Sequence, residues 1–185
     1  MMGRLFWLIT AGFLGLTVHL ATILYFPGLT FQHRVKQVAG EAKSNVFFLM
    51  KPDVQASLVA TATAEDVVGL CLLDVSAGKV ALSARMPRGQ WALTIYGASG
   101  EQVYGLNDVE AGTGNFTIEL APAKSILEQL RGKSDKDEAG QIENVGWHAE
   151  LNEQRGVAVL WAPVTDPTRR PEIEAALSST RCEKK

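Results

Sequence analysis

Few residues in this chain are of a type and spacing that could do chemistry. Of three histidines, only His148 lies outside the N-terminal apolar stretch and the segment that follows it. A nucleophilic or acid–base centre would have to be built around it, with Glu143, Asn144, Trp147 and Glu150 as near neighbours. Asp74 and Asp108 are the other carboxylates that could pair with it. Each also reads as an ordinary turn residue: Asp74 precedes Ser76-Ala77-Gly78, and Asn107-Asp108 follows Tyr104-Gly105-Leu106. Trp91, Tyr96, Tyr104, Trp147 and Trp161, with Asn107, could line a binding pocket, although aromatics on alternating strands more often fill a core.

Cys71 and Cys182 are the two cysteines. Outside the cytoplasm an even count fits a disulfide, here tying a strand to the end of a C-terminal helix. The alternative is a buried free Cys71 with an exposed Cys182. Two cysteines without CxxC spacing make a poor zinc or redox site, and neither a metal nor a cofactor is expected. Gly112-Thr113-Gly114 lacks the third glycine of a dinucleotide fingerprint and reads as a hairpin tip. Asn115-Phe116-Thr117 matches a glycosylation acceptor but falls at the start of a strand pattern.

The elements that would position these groups begin with Leu5 to Phe26, which carries no charge. As a helix it would run about 33 Å, enough to cross a bilayer, with Trp7 and Tyr25 near its two ends. Pro27-Gly28 is expected to stop it. The run is longer than the apolar region of a signal peptide and ends in Tyr-Phe-Pro-Gly, not in a small-x-small cleavage site. An uncleaved anchor is therefore the expectation, with a cleaved signal or a buried core helix as alternatives. Local charge does not orient the span, because Arg4 precedes it and His33, Arg34 and Lys36 follow it. The long domain behind it favours an N-in, C-out arrangement. His19 lies within the span, and Ala11 and Gly15 form a small-xxx-small pair, a weak sign of a partner helix.

Three regions follow from this: an anchor over residues 1–28, a linker or short amphipathic helix over 29–45, and a domain over 46–185. In the second, Phe31, Val35 and Val38 recur at helical spacing. The third reads as short strands: Val46 to Met50, Val67 to Val75, Val80 to Met86, Trp91 to Tyr96, Gln102 to Leu106, Asn115 to Leu120 and Val157 to Trp161. Gly and Pro turns separate them. The alternation sends Val80, Leu82 and Ala84, then Trp91, Leu93 and Ile95, then Phe116, Ile118 and Leu120 to one side. Two helices are expected, over Pro122 to Leu130 and Pro171 to Thr180. Arg131 to Glu138 carries both signs and reads as a loop. The fold class is mainly β (α+β), an antiparallel sandwich or barrel-like domain with one or two peripheral helices. With 18 basic and 20 acidic residues, the chain lacks the basic face that nucleic acid would need.

From Ala64 to Asp108 the chain runs Cys71-Leu-Leu-Asp74, Val80-Ala-Leu-Ser-Ala-Arg85-Met-Pro87, Trp91-Ala-Leu-Thr-Ile-Tyr96 and Tyr104-Gly-Leu-Asn107-Asp108. This, together with Arg170-Pro171-Glu172 through Cys182, resembles the short membrane-anchored bacterial proteins of the family called "domain of unknown function 1254". The resemblance implies a mainly β domain on the periplasmic side of the inner membrane. It also implies a companion membrane protein carrying the related "domain of unknown function 1214". It supplies no activity, cofactor or catalytic residue. Three functions are thus open: an envelope interaction or binding module held at the lipid bilayer by residues 5–26, a hydrolase or carbohydrate-active domain using His148 with Glu143, Asp74 or Asp108, and a lipid-binding β-domain. The second requires its groups to converge in one cleft.

Overall fold

The computed structural model describes residues 2–59, 61–123 and 146–185. Its first element is one helix of 38 residues, α1 (Met2–Ala39), about 57 Å long. It does not stop at Pro27-Gly28 as the sequence suggested. Pro27 removes one backbone donor, but the flanking turns remain helical, and the Thr30 hydroxyl donates to the Phe26 carbonyl at 2.9 Å. Such side-chain bonds let apolar helices carry proline. Of the segment 29–45, read as a linker or short amphipathic helix, residues 29–39 form the lower end of the same helix and residues 40–45 lie beyond it.

The rest is built of two sheets and short helices. β1 (Phe47–Leu49), β2 (Val67–Asp74), β8 (Arg155–Ala162), β4 (Ala92–Gly97) and β5 (Gln102–Asn107) form sheet A in that order. β7 (Trp147–Leu151), β6 (Asn115–Pro122), β3 (Val80–Arg85) and β9 (Arg181–Lys184) form sheet B. All pairs are antiparallel except β6 with β7. α2 (Pro52–Leu58) follows β1, α3 (Asp108–Ala111) follows β5, and α4 (Arg170–Ser178) precedes β9. This is the expected β-rich α+β architecture. The helix anticipated over Pro122 to Leu130 lies outside the described residues beyond position 123, where the chain is still leaving β6. Glu143, Asn144 and the loop reading of Arg131 to Glu138 also lie outside the described residues.

Period-two alternation places the core. Leu82, Leu93, Ile95, Ile118, Leu120 and Leu160 are fully buried between the sheets, and Ile173 and Leu177 of α4 join them. Trp91 is part of this layer, stacked on Phe116 with ring centroids 4.8 Å apart. Sheet A also has a second buried face. There Val68, Leu70, Val157 and Val159 meet Val35 of α1, Met50 and Ala62, with Phe31, Val38, Val54 and Leu58 packed around them. The lower turns of α1 and the short α2 therefore cover the side of sheet A that faces away from sheet B.

Two devices fix the chain to this frame. Asn45, in the left-handed region at φ 59°, donates through its side-chain amide to the Asp74 carbonyl at 3.0 Å and accepts from the Asp74 amide at 2.9 Å. It turns the chain from α1 onto the end of β2. The second device is the disulfide between Cys71 and Cys182, with Cα atoms 6.5 Å apart. Cys182 lies on strand β9, not at a helix end, so the bond joins sheet A to sheet B.

Because it closes 111 residues of sequence, replacing both cysteines by alanine is expected to cost about 2–5 kcal/mol. Thermal unfolding of the detergent-solubilised chain should show a lowered Tm, and reductant should then shift the wild type but not the double variant.

Candidate functional site

Among the described residues, His148, Asp74 and Asp108 do not assemble into one cleft. Asp74 ends β2, in register with Arg155, and its carboxylate accepts from the Ser76 amide at 3.0 Å and the Ser76 hydroxyl at 2.5 Å. Those two bonds, hydroxyl first, hold its pKa below the usual range. Asp108 opens α3, and Asn107 caps that helix by accepting from the Glu110 amide at 2.9 Å. Asn107 aligns through Ala92 and Trp161 with Val68, at the opposite end of β2 from Asp74. The two carboxylates are thus about 20 Å apart along the strands and about 14 Å across them.

His148 lies on β7, exposed on the outer face of sheet B, while its neighbours Ala149 and Leu151 point inward. Asp74 alternates with Leu72 and so belongs to the outer face of sheet A. His148 and Asp74 therefore occupy opposite sides of the sandwich, about 10 Å of packed core lying between the sheets. Among the described residues no group of three or more histidines, cysteines and carboxylates is placed to hold a metal.

The aromatics are dispersed too. Trp91 is core. Tyr104 is half-buried, and burial, then Glu110, raises its pKa. Trp147 is half-buried on β7. Trp161 donates from its ring nitrogen to the Asp66 carboxylate at 3.2 Å, beneath the outer cover of sheet A. Tyr96 meets Phe31 of α1 at 5.6 Å between ring centroids.

That last contact marks the region with the most shape. α1 descends across the strands: Phe31 packs on Tyr96 of β4, and Val35 and Ala39 line a groove with Val157 of β8 and Leu72 of β2. The groove holds about 480 Å³, with Lys36, Arg155, Gln32 and Ser44 among its walls. The β4–β5 turn closes its upper end. An added Cβ at Gly28 would lie 3.3 Å from the Ser99 carbonyl oxygen, so helix and turn are in close contact there. Gly100, at φ +87°, sits directly under the Phe31 ring. A smaller cavity of about 250 Å³ lies near the far end of the strands, among Met86, Arg88, Ala162, Asp166, Arg169 and Ile173. Of its two arginines, Arg169 is already engaged, donating to the Arg88 carbonyl at 2.5 Å and pairing with Glu172 at 3.3 Å.

The groove was missed from the sequence because its walls come from four distant segments. The helical spacing of Phe31, Val35 and Val38 was the available signal. For β7, the alternation of Trp147, Ala149 and Leu151 with His148 and Glu150 was a legible one.

Above the groove α1 is bare. Phe6, Trp7, Leu14, Leu24 and Phe26 are each more than 60% exposed. By length and composition this stretch is able to cross a membrane, and an apolar surface of that extent requires an apolar environment. It fits an anchor or a signal sequence, and the disulfide fits an oxidising compartment.

Two predictions follow from the positions of Glu119 and Gly100. Glu119, beside His148 in the β6–β7 register, pairs with Lys79 at 2.8 Å and Lys185 at 2.5 Å. These bonds, Lys185 first, lower its pKa to about 2 from 4.5. Its stabilising contribution is complete above the unfolded value and is lost as pH falls toward 2. Thermal unfolding between pH 7 and pH 3 should show a smaller acid-side loss for Glu119→Gln than for the wild type. Separately, Gly100→Val adds a β-branched side chain at positive φ against Phe31. A Tm lowered by several degrees, with increased protease cleavage near residue 31, is the expected outcome.

No family model matches the chain, and no curated protein does. Among solved structures, the VPA0106 protein from Vibrio parahaemolyticus is similar over 90% of this chain, with a TM-score of 0.61 and 14% identity. A putative uncharacterized protein from Burkholderia cenocepacia aligns over 79% at a TM-score of 0.44 and 8% identity. In each case the chain spans 38% of the other protein's length. What the first of these shares with the chain is its fold.

Proposed function

We propose that this chain is a single-pass inner-membrane protein whose domain works in the periplasm as a binding or interaction module. The observation that carries the reading is the continuity of α1. Its upper part is apolar and bare on all sides, while its lower turns are core to the domain. A tether built this way holds the domain against the bilayer in a fixed orientation. The β4–β5 turn contacts Gly28, two residues beyond Phe26, and therefore sits at headgroup level. A cleaved signal fits less well. Phe31, Val35 and Val38 are needed in the second core, so a cut would have to precede Phe31, and no small-x-small site marks one.

The disulfide supports the periplasmic side, and the dispersal of His148, Asp74 and Asp108 favours binding over hydrolysis. The resemblance to the "domain of unknown function 1254" proteins points to a companion membrane protein with the "domain of unknown function 1214" as the partner.

Alkaline phosphatase fused after Lys185 is expected to be active, and green fluorescent protein fused there dark. The reverse pattern overturns the topology. Affinity purification from detergent-solubilised native membranes should recover a second membrane protein at near-stoichiometric amount, with Met1 or Met2 still present by intact mass. Recovery of the chain alone counts against the interaction module.

A further inference from the structure

We infer that the groove between the lower turns of α1 and sheet A is a binding site for an anionic membrane lipid, taking one acyl chain along its floor and the headgroup at Lys36 and Arg155. This rests on the reading of α1 as an anchor and adds to it the class of ligand.

The floor is apolar: Phe31, Val35 and Ala39 from the helix, Leu72 and Val157 from the strands. Its volume, about 480 Å³, is in the range of sites that enclose a small ligand. The groove lies outside the sandwich core and opens to its surroundings, so an entering chain displaces no packed side chain. The two cations on its walls come from different elements, Lys36 from α1 and Arg155 from the start of β8. Among the described residues neither takes part in an ion pair.

The nearby carboxylates have donors of their own. Asp74 accepts from Ser76, Glu153 accepts from the Ser99 amide at 3.1 Å, and Glu101 accepts from the Ser99 hydroxyl. Asp74, in register with Arg155, offsets part of its charge; Lys36 and the remainder of the Arg155 charge are left to an external anion.

Position selects the source. Phe31 lies five residues past the end of the apolar run at Phe26, about 7.5 Å along the helix, so the upper mouth meets the leaflet where phosphates lie. A lipid entering at this mouth moves down the groove until its headgroup meets Lys36 and Arg155, with one chain along the apolar floor. A soluble anion would need the cations but not the apolar floor, and a neutral lipid the floor but not the cations. A Lys or Arg held beside an anionic headgroup gains about 1 kcal/mol.

The test uses the full chain in nanodiscs containing phosphatidylglycerol with a photoactivatable diazirine on one acyl chain, followed by peptide mapping of the adducts. Adducts on Leu72, Val157 or Ala98, in addition to residues 5–26, are the expected result. Adducts confined to residues 5–26 overturn the inference while leaving the anchor intact, and no adduct on either region overturns both. The same diazirine on phosphatidylcholine should label the groove about tenfold less, and equal labelling overturns the role of the cations. Lys36→Gln with Arg155→Gln should lower groove labelling by phosphatidylglycerol to the phosphatidylcholine level without changing labelling of the span. Undiminished groove labelling in that variant also overturns the inference. The wild-type comparison of the two lipids stands even where the double variant folds poorly.

Discussion

Strands β2 and β8 have no solvent side, and most of the architecture answers that constraint. Their inward residues, among them Cys71, Leu73, Ala158 and Leu160, meet sheet B. Their outward residues, Val68, Leu70, Val157 and Val159, are equally apolar. An antiparallel sheet usually leaves one face to water and shows it as alternation. Here near-continuous apolar runs, Val67 to Leu73 and Val157 to Ala162, demand a second cover. The lower end of α1 supplies it, with α2 and Met50 completing the layer. The helix that leaves for the membrane is thus a structural part of the domain, and removing residues 29–39 would expose the outer face of sheet A.

That constraint also explains what the sequence showed and what it hid. Strands with one wet face, such as β3 and β6, announced their register through Val80, Leu82 and Ala84 and through Phe116, Ile118 and Leu120. The stop at Pro27-Gly28 failed because local propensity was outweighed by packing: Phe31, Val35 and Val38 gain their burial only if the helix continues. β9 was invisible because four residues, Arg181–Lys184, hold one inward side chain, and that is a cysteine. α2 began with a legible sign, Pro52 at its first position and Asp53 in its first turn, but its seven residues are too few for periodicity to speak.

The candidate catalytic groups illustrate a different limit. Asp74, Asp108 and His148 are polar residues at strand ends or on an outward face, and each is explained by its own neighbourhood: Ser76 for Asp74, the start of α3 for Asp108, solvent for His148. Sequence names residue types, whereas convergence depends on strand order. The order β1-β2-β8-β4-β5 puts three intervals between β2 and β5 and reverses their directions, which separates the two aspartates in both dimensions. The same order brings Lys36 and Arg155, more than a hundred residues apart, to a single groove.

The disulfide has a consequence for how the domain can be lost from a membrane. Cys71 lies on the strand that α1 covers, and Cys182 lies near the far end of the chain, so every residue from 72 to 181 is inside a covalent loop. A single proteolytic nick anywhere in that loop leaves both new ends attached to the helix. Releasing the domain therefore takes a cut before Cys71, through α1, α2 or the short segments between them and β2; a nick inside the loop frees only the part beyond it, and only once the disulfide is also reduced.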